Sequence, residues 1–411
     1  MMNVTIRPGM LAGRVTPPPS KSQAHRLLLC AALAGGESIV DNVAFSQDIL
    51  ATLGCMKALG AAWEQTAQGQ VKITGAACES QMEKLPRLDC GESGSTLRFL
   101  IPVALAIAGG GVFTGRGRLM RRPQKPYFDL FDEKGIRYEQ KEDTLTVSGR
   151  LTPGVYRLPG NVSSQFFTGL LYALSLLDGP SEIISTTQLE SSDYIAMTIA
   201  AMSKAGVKVE QSSDKMSYKV YPSKYLSFTE KVEGDWSQAG FWYGAMALGS
   251  SLEVDGMDPD SAQGDRIVTE RFEILTRPGD VSIDVSGCPD LVPPLAVMAA
   301  LREGTTHIVN AARLRIKESD RLASVTAALN ALGAHVEEHP DSLTIRGLPG
   351  LRGGVVDCCN DHRIAMMAAV AATRCEQSVT LLGAECVNKS YPNFWEHYKM
   401  LGGDLDVIVS G

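Results

Sequence analysis

Ser20-Lys21-Ser22-Gln23-Ala24-His25-Arg26-Leu27-Leu28-Leu29-Cys30-Ala31-Ala32-Leu33 opens on a polar cluster and then turns apolar on every side. A helix without a polar face belongs in a core. Five further stretches share the pattern. They are Glu92-Ser93-Gly94-Ser95 before Leu97, Ser163-Ser164-Gln165 before Phe166-Phe167, and Asp235-Trp236-Ser237-Gln238 before Phe241-Trp242-Tyr243. The last two are Pro289-Asp290 before Leu291-Val292, and Asn360-Asp361-His362-Arg363 before an alanine-rich run. Ser20 with Gln23, and Asp235 with Gln238, have the spacing of helix N-caps and capping boxes.

A second kind of helix alternates with the first. It is amphipathic and ends in glycine, as in Met56-Lys57-Ala58-Leu59-Gly60, Asp132-Glu133-Lys134-Gly135 and Ser203-Lys204-Ala205-Gly206, with Gly279, Gly333 and Gly402 closing the other three. The apolar starts near 20, 93, 163, 235, 289 and 361 are about 73, 70, 72, 54 and 72 residues apart. The glycine ends are about 75, 71, 73, 54 and 69 apart, so two independent markers give one period and the same short interval. Between the helices lie alternating β-branched segments such as Val71-Lys72-Ile73-Thr74, Leu145-Thr146-Val147, Val281-Ser282-Ile283-Asp284 and Leu343-Thr344-Ile345. The fold class is α/β: six repeated units of roughly 70 residues with buried apolar helices and short sheets, three units to each of two domains. A hinge is expected near Val232-Glu233-Gly234, and Pro17-Pro18-Pro19 is a stiff second crossing.

A chain of 411 residues suits two domains. A formal net charge of −7 argues against a nucleic-acid or membrane-surface role, so anions must be gathered by a local basic site. Nine cysteines stand without C-x-x-C spacing, and Cys358 and Cys359 are adjacent, which reads as reduced thiols in a cytoplasmic protein. The N-terminus lacks the features of a signal peptide. The longest apolar run, 99–108, is too short for a membrane span of about 20 residues, contains Pro102 and ends at Gly109-Gly110-Gly111. It reads as a buried helix. There is no G-x-x-x-x-G-K-[ST], no G-x-G-x-x-G in a dinucleotide context, and no His/Cys/carboxylate set with metal-ligand spacing. No metal or cofactor is expected.

The chemistry gathers where helices begin, and a first turn with unpaired N–H groups is a ready anion site. Lys21, Ser22 and Arg26 stand at the first start, Gly94 and Arg98 at the second with Arg121-Arg122-Pro123 following, and Ser163, Ser164 and Gln165 at the third, before Ser191 and Tyr194. The richest stretch is 313–322, Arg-Leu-Arg-Ile-Lys-Glu-Ser-Asp-Arg-Leu, downstream of Asp290. His362-Arg363 and Lys389 complete the set. Each group alone reads as a cap, a turn or a solvated helix start carrying ion pairs. Jointly, basic and hydroxyl-bearing helix starts in both halves of an acidic chain predict a closed cleft for phosphate and carboxylate groups. A unit-charge contact at ~4 Å there is worth about 4 kcal/mol at an effective dielectric near ~20.

In this order the motifs resemble the enolpyruvyl transferase family, and among its branches the one acting on shikimate 3-phosphate. The resemblance rests on Pro19-Ser20-Lys21-Ser22 with Arg26, Gly91 to Arg98, Arg122-Pro123, Ser163-Ser164-Gln165-Phe166, Glu233-Gly234-Asp235 and Pro289-Asp290, then Arg315 to Leu322, Asn360-Asp361-His362-Arg363 and Lys389-Ser390-Tyr391-Pro392. It implies an inside-out α/β barrel in each domain. It groups residues 1–19 with 233–411 and inserts 20–232, with the active site between them. It implies transfer of the enolpyruvyl group of phosphoenolpyruvate to the 5-hydroxyl of shikimate 3-phosphate, with release of phosphate, in the shikimate pathway to chorismate and aromatic amino acids. These small molecules are the partners expected of a cytoplasmic monomer. By resemblance, shikimate 3-phosphate is held by Lys21, Ser22, Arg26, Ser163, Ser164, Gln165, Ser191, Tyr194, Asp290 and Lys317. Phosphoenolpyruvate is held by Lys21, Gly94, Arg122, Gln165, Arg321, Arg363 and Lys389. Asp290 corresponds to the base for the 5-hydroxyl and Glu318 to the proton donor to the methylene carbon, with Lys21 a third catalytic group. Asp320 reads as a structural partner of nearby cations. Glu92, Phe99 and Arg313 depart from the pattern, and Arg313 receives no substrate contact. Gly94, lacking a methyl group, implies sensitivity to glyphosate. A sibling branch acting on UDP-N-acetylglucosamine commonly has a reactive cysteine in the segment where 113–124 here has none. A noncatalytic anion-binding module would leave Asp290 and Glu318 as charge placeholders.

Overall fold

Apolar helices that must be buried and sheets with one apolar face have few ways to pack. The computed structural model describes residues 2–76 and 84–409. They divide into two compact units, 19–233 and 1–18 with 234–411.

The unit 19–233 contains α1 (Lys21–Leu33), α2 (Gln47–Ala58), α3 (Gly94–Ala108), α4 (Lys125–Lys134), α5 (Ser164–Leu174) and α6 (Ser192–Lys204). The other contains α7 (Trp236–Ala247), α8 (Val268–Leu275), α9 (Val292–Ala300), α10 (Arg321–Ala331), α11 (His362–Ala372) and α12 (Phe394–Met400). The odd-numbered helices are the apolar ones. Every residue of α9 and of α11 is buried, as the absence of a polar face requires. In the second unit α7, α9 and α11 pack on one another; in the first, α3 packs on α5 and α1 on α6. Each fully buried Leu, Ile or Phe in such a core contributes about 1.5–3 kcal/mol.

The sheets repeat with the helices. Arg87–Asp89 pairs parallel with Gly110–Thr114, which pairs antiparallel with Thr144–Ser148 and through it with Arg137–Gln140. Val155–Leu158, Ser181–Ser185, Ser217–Val220 and Val209–Gln211 follow the same order, as do Val281–Asp284, Thr305–Val309, Leu343–Arg346 and His335–Glu338. Each of these repeats is a parallel strand–helix–strand crossover followed by the amphipathic helix and a hairpin. The fourth repeat differs. Its sheet is only Ala12–Val15 against Ser251–Val254, and α8 leads directly to Val281. The missing hairpin accounts for the interval of about 54 residues in both sequence markers. Two strands come from far along the chain. Met2–Ile6 lies between Val379–Leu382 and Leu405–Val409, and Thr229–Lys231 pairs with Glu37–Asp41.

The glycines past the amphipathic helices all take positive φ, from 68° at Gly135 to 109° at Gly279. The capping boxes do not close. Ser20 and Asp235 accept from the backbone N–H of Gln23 and Gln238 as N-caps should. Their own N–H groups, however, are taken by the carbonyls of Glu233 and Pro18, where the chain passes from one unit to the other. Gln23 is thereby released to bond the backbone N–H and the side chain of Glu233, and Gln238 reaches Ser390.

Pro102 within α3 has no N–H for the carbonyl of Arg98, four residues earlier. The Tyr127 hydroxyl donates to that carbonyl at 2.7 Å and lies 3.1 Å from the carbonyl of Phe166. Tyr127→Phe therefore leaves a buried carbonyl unsatisfied. It should cost about 1–3 kcal/mol in denaturant unfolding, and an unchanged midpoint would contradict this account of the proline.

Candidate active site

In the unit 19–233 the predicted residues cluster at the first turns of α1, α3, α5 and α6. Lys21 Nζ lies 2.7 Å from Asp48 at the start of α2, and Ser22 stands beside it, half-buried. Arg26 is buried and committed internally. Its Nε donates to Thr198, Nη1 to the Ser22 carbonyl and Nη2 to the Tyr194 carbonyl, at 2.8, 2.7 and 3.0 Å. Its guanidinium also lies 5.2 Å from the Phe99 ring centre and 5.7 Å from that of Tyr194. Arg26 thus ties α1 to α6, and burial lowers its pKa. Ser191, the N-cap of α6, has φ of 55°, a left-handed conformation that serine rarely holds.

Gly94 has a specific reason to lack a side chain. A methyl group there would come 2.6 Å from Arg122 Nη1, so the Arg122 guanidinium occupies that space. The side chain that fills the space is a cation. Gln165 bridges the two neighbouring helices. Its Oε1 accepts from Arg98 Nη1 at 2.8 Å and its Nε2 donates to Ser95 at 3.0 Å. Arg98 also holds the Pro123 carbonyl at 3.0 Å, fixing the segment that carries Arg122. Ser163 caps α5 by accepting from the Gln165 N–H, and Ser164 follows, buried.

In the other unit the cluster is an interlocked ion network. Asp290 Oδ1 lies 3.3 Å from Lys317 Nζ and 3.0 Å from Arg321 Nη1, and Oδ2 lies 3.2 Å from Arg363 Nη2. Arg321 is fully buried and also holds Glu318 at 2.6 Å and Asp361 at 3.0 Å. Asp361 caps α11 through the Arg363 N–H and accepts from Ser319. Arg363 also bonds the Asp290 carbonyl and Ser237. Lys389 Nζ donates to the Asn360 carbonyl at 2.7 Å. Burial alone would raise the Asp290 pKa; Arg363, Lys317 and Arg321 outweigh it and hold the carboxyl well below the usual range. Lys317 is lowered, because burial and the neighbouring arginines outweigh Asp290. Arg321 is raised despite burial, through Asp361, Glu318 and Asp290.

The charged stretch 313–322 divides in two. Lys317, Glu318 and Arg321 join the network. Arg315 turns away to Asp320, Glu338 and the carbonyls of His339 and Pro340, and Asp320 caps α10. Arg313 donates to the Ser286 carbonyl. Asp48, Arg98 and Asp361 are the supporting residues that sequence reasoning did not assign. The available signal was the repeat, because Lys21–Asp48 and Asp290–Lys317 are both 27 residues apart. Trp236–Gln263, Gly160–Thr187 and Arg116–Asp89 share that separation.

Three cations facing three carboxylates in one unit, and a separate set of cations and hydroxyls at helix starts in the other, are each suited to binding oxyanions, and the carboxylates to moving protons. The model of the family described as EPSP synthase (3-phosphoshikimate 1-carboxyvinyltransferase) matches residues 6–398. The chain belongs to the EPSP synthase family. It is 45% identical to the 3-phosphoshikimate 1-carboxyvinyltransferase of Clostridium acetobutylicum, over 98% of each chain, and 45% identical to that of Clostridium kluyveri, over 99% of each. A solved EPSP synthase from Acinetobacter baumannii superposes over all of both chains with a TM-score of 0.80 at 24% identity, which shows the shared fold.

Two substitutions probe the geometry. Gly94→Ala should push the Arg122 guanidinium aside and raise the KM for phosphoenolpyruvate by about ten-fold or more, with little change in stability; an unchanged KM would show that Arg122 does not depend on the space. Asp361→Asn keeps the cap of α11 but removes a buried counter-charge of Arg321. It should cost about 3–5 kcal/mol in denaturant unfolding, and a loss under about 1 kcal/mol would mean that Glu318 and Asp290 suffice.

Proposed function

We propose that this enzyme transfers the enolpyruvyl group of phosphoenolpyruvate to the 5-hydroxyl of shikimate 3-phosphate by addition and elimination. The observation that carries the residue assignment is Asp290, whose two oxygens are shared among Lys317, Arg321 and Arg363 while Glu318 shares Arg321. Addition requires the alcohol to lose a proton, the oxygen to bond to the substituted carbon of phosphoenolpyruvate, and the methylene carbon to gain a proton. Elimination takes a proton back from that carbon and expels phosphate. Two carboxyl groups in different surroundings can divide these duties.

Asp290 is the proposed base and Glu318 the proposed donor to carbon. Held by three cations, Asp290 is a poorer base than a free aspartate, whose pKa is about 3.9. The proposal therefore includes a change on loading. When the carboxylate and phosphate of phosphoenolpyruvate engage Arg321 and Arg363, those cations are shared with the ligand and the proton affinity of Asp290 rises. Positioning and concerted protonation by Glu318 supply the rest. Lys21, Arg122, Gln165 and Lys389 with Gly94 complete the phosphoenolpyruvate contacts. Lys21, Ser22, Arg26, Ser163, Ser164, Gln165, Ser191 and Tyr194 hold shikimate 3-phosphate with Asp290 and Lys317, Arg26 chiefly by setting Ser22 and Tyr194. The two sets serve one reaction, so the reading includes closure of the units around substrate. It also places the enzyme in the cytoplasm as a monomer, in keeping with eight free thiols among the described residues. No helix is long and apolar enough to cross a membrane among those residues.

The deciding assay is phosphate release from phosphoenolpyruvate with shikimate 3-phosphate or UDP-N-acetylglucosamine as acceptor; release with only the second would sink the proposal. Asp290→Ala should lower turnover by about 10²–10⁴-fold while shikimate 3-phosphate still binds measurably by calorimetry. Near-normal turnover would remove Asp290 from the chemistry. Small-angle scattering should show compaction on adding shikimate 3-phosphate.

Acid should act on the same network. The Asp290 pKa is depressed in the folded state, so its stabilisation is complete above the unfolded value of about 3.9 and is lost as pH falls through the depressed value. Asp290→Ala should therefore flatten the loss of unfolding free energy below about pH 4 relative to the unmodified protein. Parallel curves would show that Asp290 carries none of it.

A further inference from the structure

A buried chain of hydroxyls runs from α1 to the start of α3, and the proposed chemistry does not use it. His25 Nδ1 lies 2.7 Å from Thr52 Oγ1 on α2, which lies 2.6 Å from Thr96 Oγ1 on α3. Thr96 Oγ1 donates at 2.7 Å to Ser93 Oγ, the N-cap of α3, which also accepts from the Thr96 N–H. All four residues are buried.

Each hydroxyl has one hydrogen to give, and an oxygen–oxygen contact of 2.6 Å needs one between its partners. If Thr96 donates to Ser93, Thr52 must donate to Thr96, and Thr52 must then receive its own hydrogen bond from His25 Nδ1–H. The reverse order would put the imidazole proton on Nε2, which is buried with no partner among the described residues. A buried orphan N–H is rare, whereas an unused lone pair costs less. In the first order the Ser93 O–H is left over, with no acceptor for it among the described residues. Ser93 adjoins Gly94, against which the Arg122 guanidinium lies.

We propose that His25, carrying its proton on Nδ1, is a positioning residue that aligns Thr52, Thr96 and Ser93 so that the Ser93 hydroxyl proton is free for an oxyanion at the first turn of α3. That oxyanion is phosphoenolpyruvate if the proposed function holds, and the inference rests on that reading for its ligand alone. His25 stays uncharged because burial disfavours imidazolium and Lys21 and Arg26 on its own helix repel it. Of its other neighbours, the Phe99 ring of α3 meets the imidazole in a T-shaped contact, and the Asp48 carboxylate of α2 is paired with Lys21.

Two measurements on the full-length enzyme test this. In a two-bond proton–nitrogen spectrum of the histidine-labelled protein, the signal that Thr52→Val shifts and His25→Asn removes should be an Nδ1–H tautomer that does not titrate between about pH 5 and 8. An Nε2–H tautomer, or a titrating signal, overturns the chain. In steady-state kinetics, Thr96→Val should raise the KM for phosphoenolpyruvate about ten-fold, with kcat and the KM for shikimate 3-phosphate within about two-fold, and Thr96→Ser should restore it. Equal rises in both KM values, no rise, or failure of serine to restore it would overturn the positioning role. If the unmodified enzyme turns over neither substrate, the proposed function falls, and the tautomer still decides the chain.

Discussion

Six helices without a polar face constrain everything else in this protein. A charged side chain cannot project from the middle of such a helix without several kcal/mol of desolvation, so the sites left for polar chemistry are helix starts, where N–H groups already need partners. Ser20, Ser93, Ser163, Asp235 and Asp361 meet that need as caps, and the residues beside them carry the charges. Core and candidate site are thus two ends of one requirement.

The ion network around Arg321 shows how the protein itself holds such a cluster of cations. Removing a cation from water is costly, and Arg321 is fully buried with Asp290, Glu318 and Asp361 around it. Asp361 belongs to the scaffold, since it also caps α11. Asp290 and Glu318 are less enclosed and are the carboxylates that an anionic substrate would compete with. A cluster balanced in this way holds its cations in place before any ligand arrives, which is the preorganisation that electrostatic catalysis needs.

Much of this was legible in the sequence, because caps, apolar runs and terminal glycines are local signals. The repeat and both helix types follow from them. Asp48, Arg98 and Asp361 were not legible as partners, since Arg98 meets Gln165 67 residues away and Asp361 meets Arg321 40 away. The capping boxes misread for a related reason. Ser20 and Asp235 have the correct neighbours, but a distant segment of chain reaches their N–H groups first. Tyr127 could have been sought from Pro102, which announces a carbonyl in need of a donor but does not say where the donor lies.

The separation of 27 residues that recurs in five repeats has a further consequence. It measures the crossover from the end of one strand, through the apolar helix, to the loop after the parallel strand. Repeat one places the cation first, Lys21 to Asp48; repeat five reverses the sign, Asp290 to Lys317. Repeat four lacks the hairpin yet keeps the interval between Trp236 and Gln263. The crossover is therefore the gauge of this architecture, a fixed length onto which either polarity can be written. The hairpins are trim, and insertions between repeats can accumulate there without moving one charge relative to its partner.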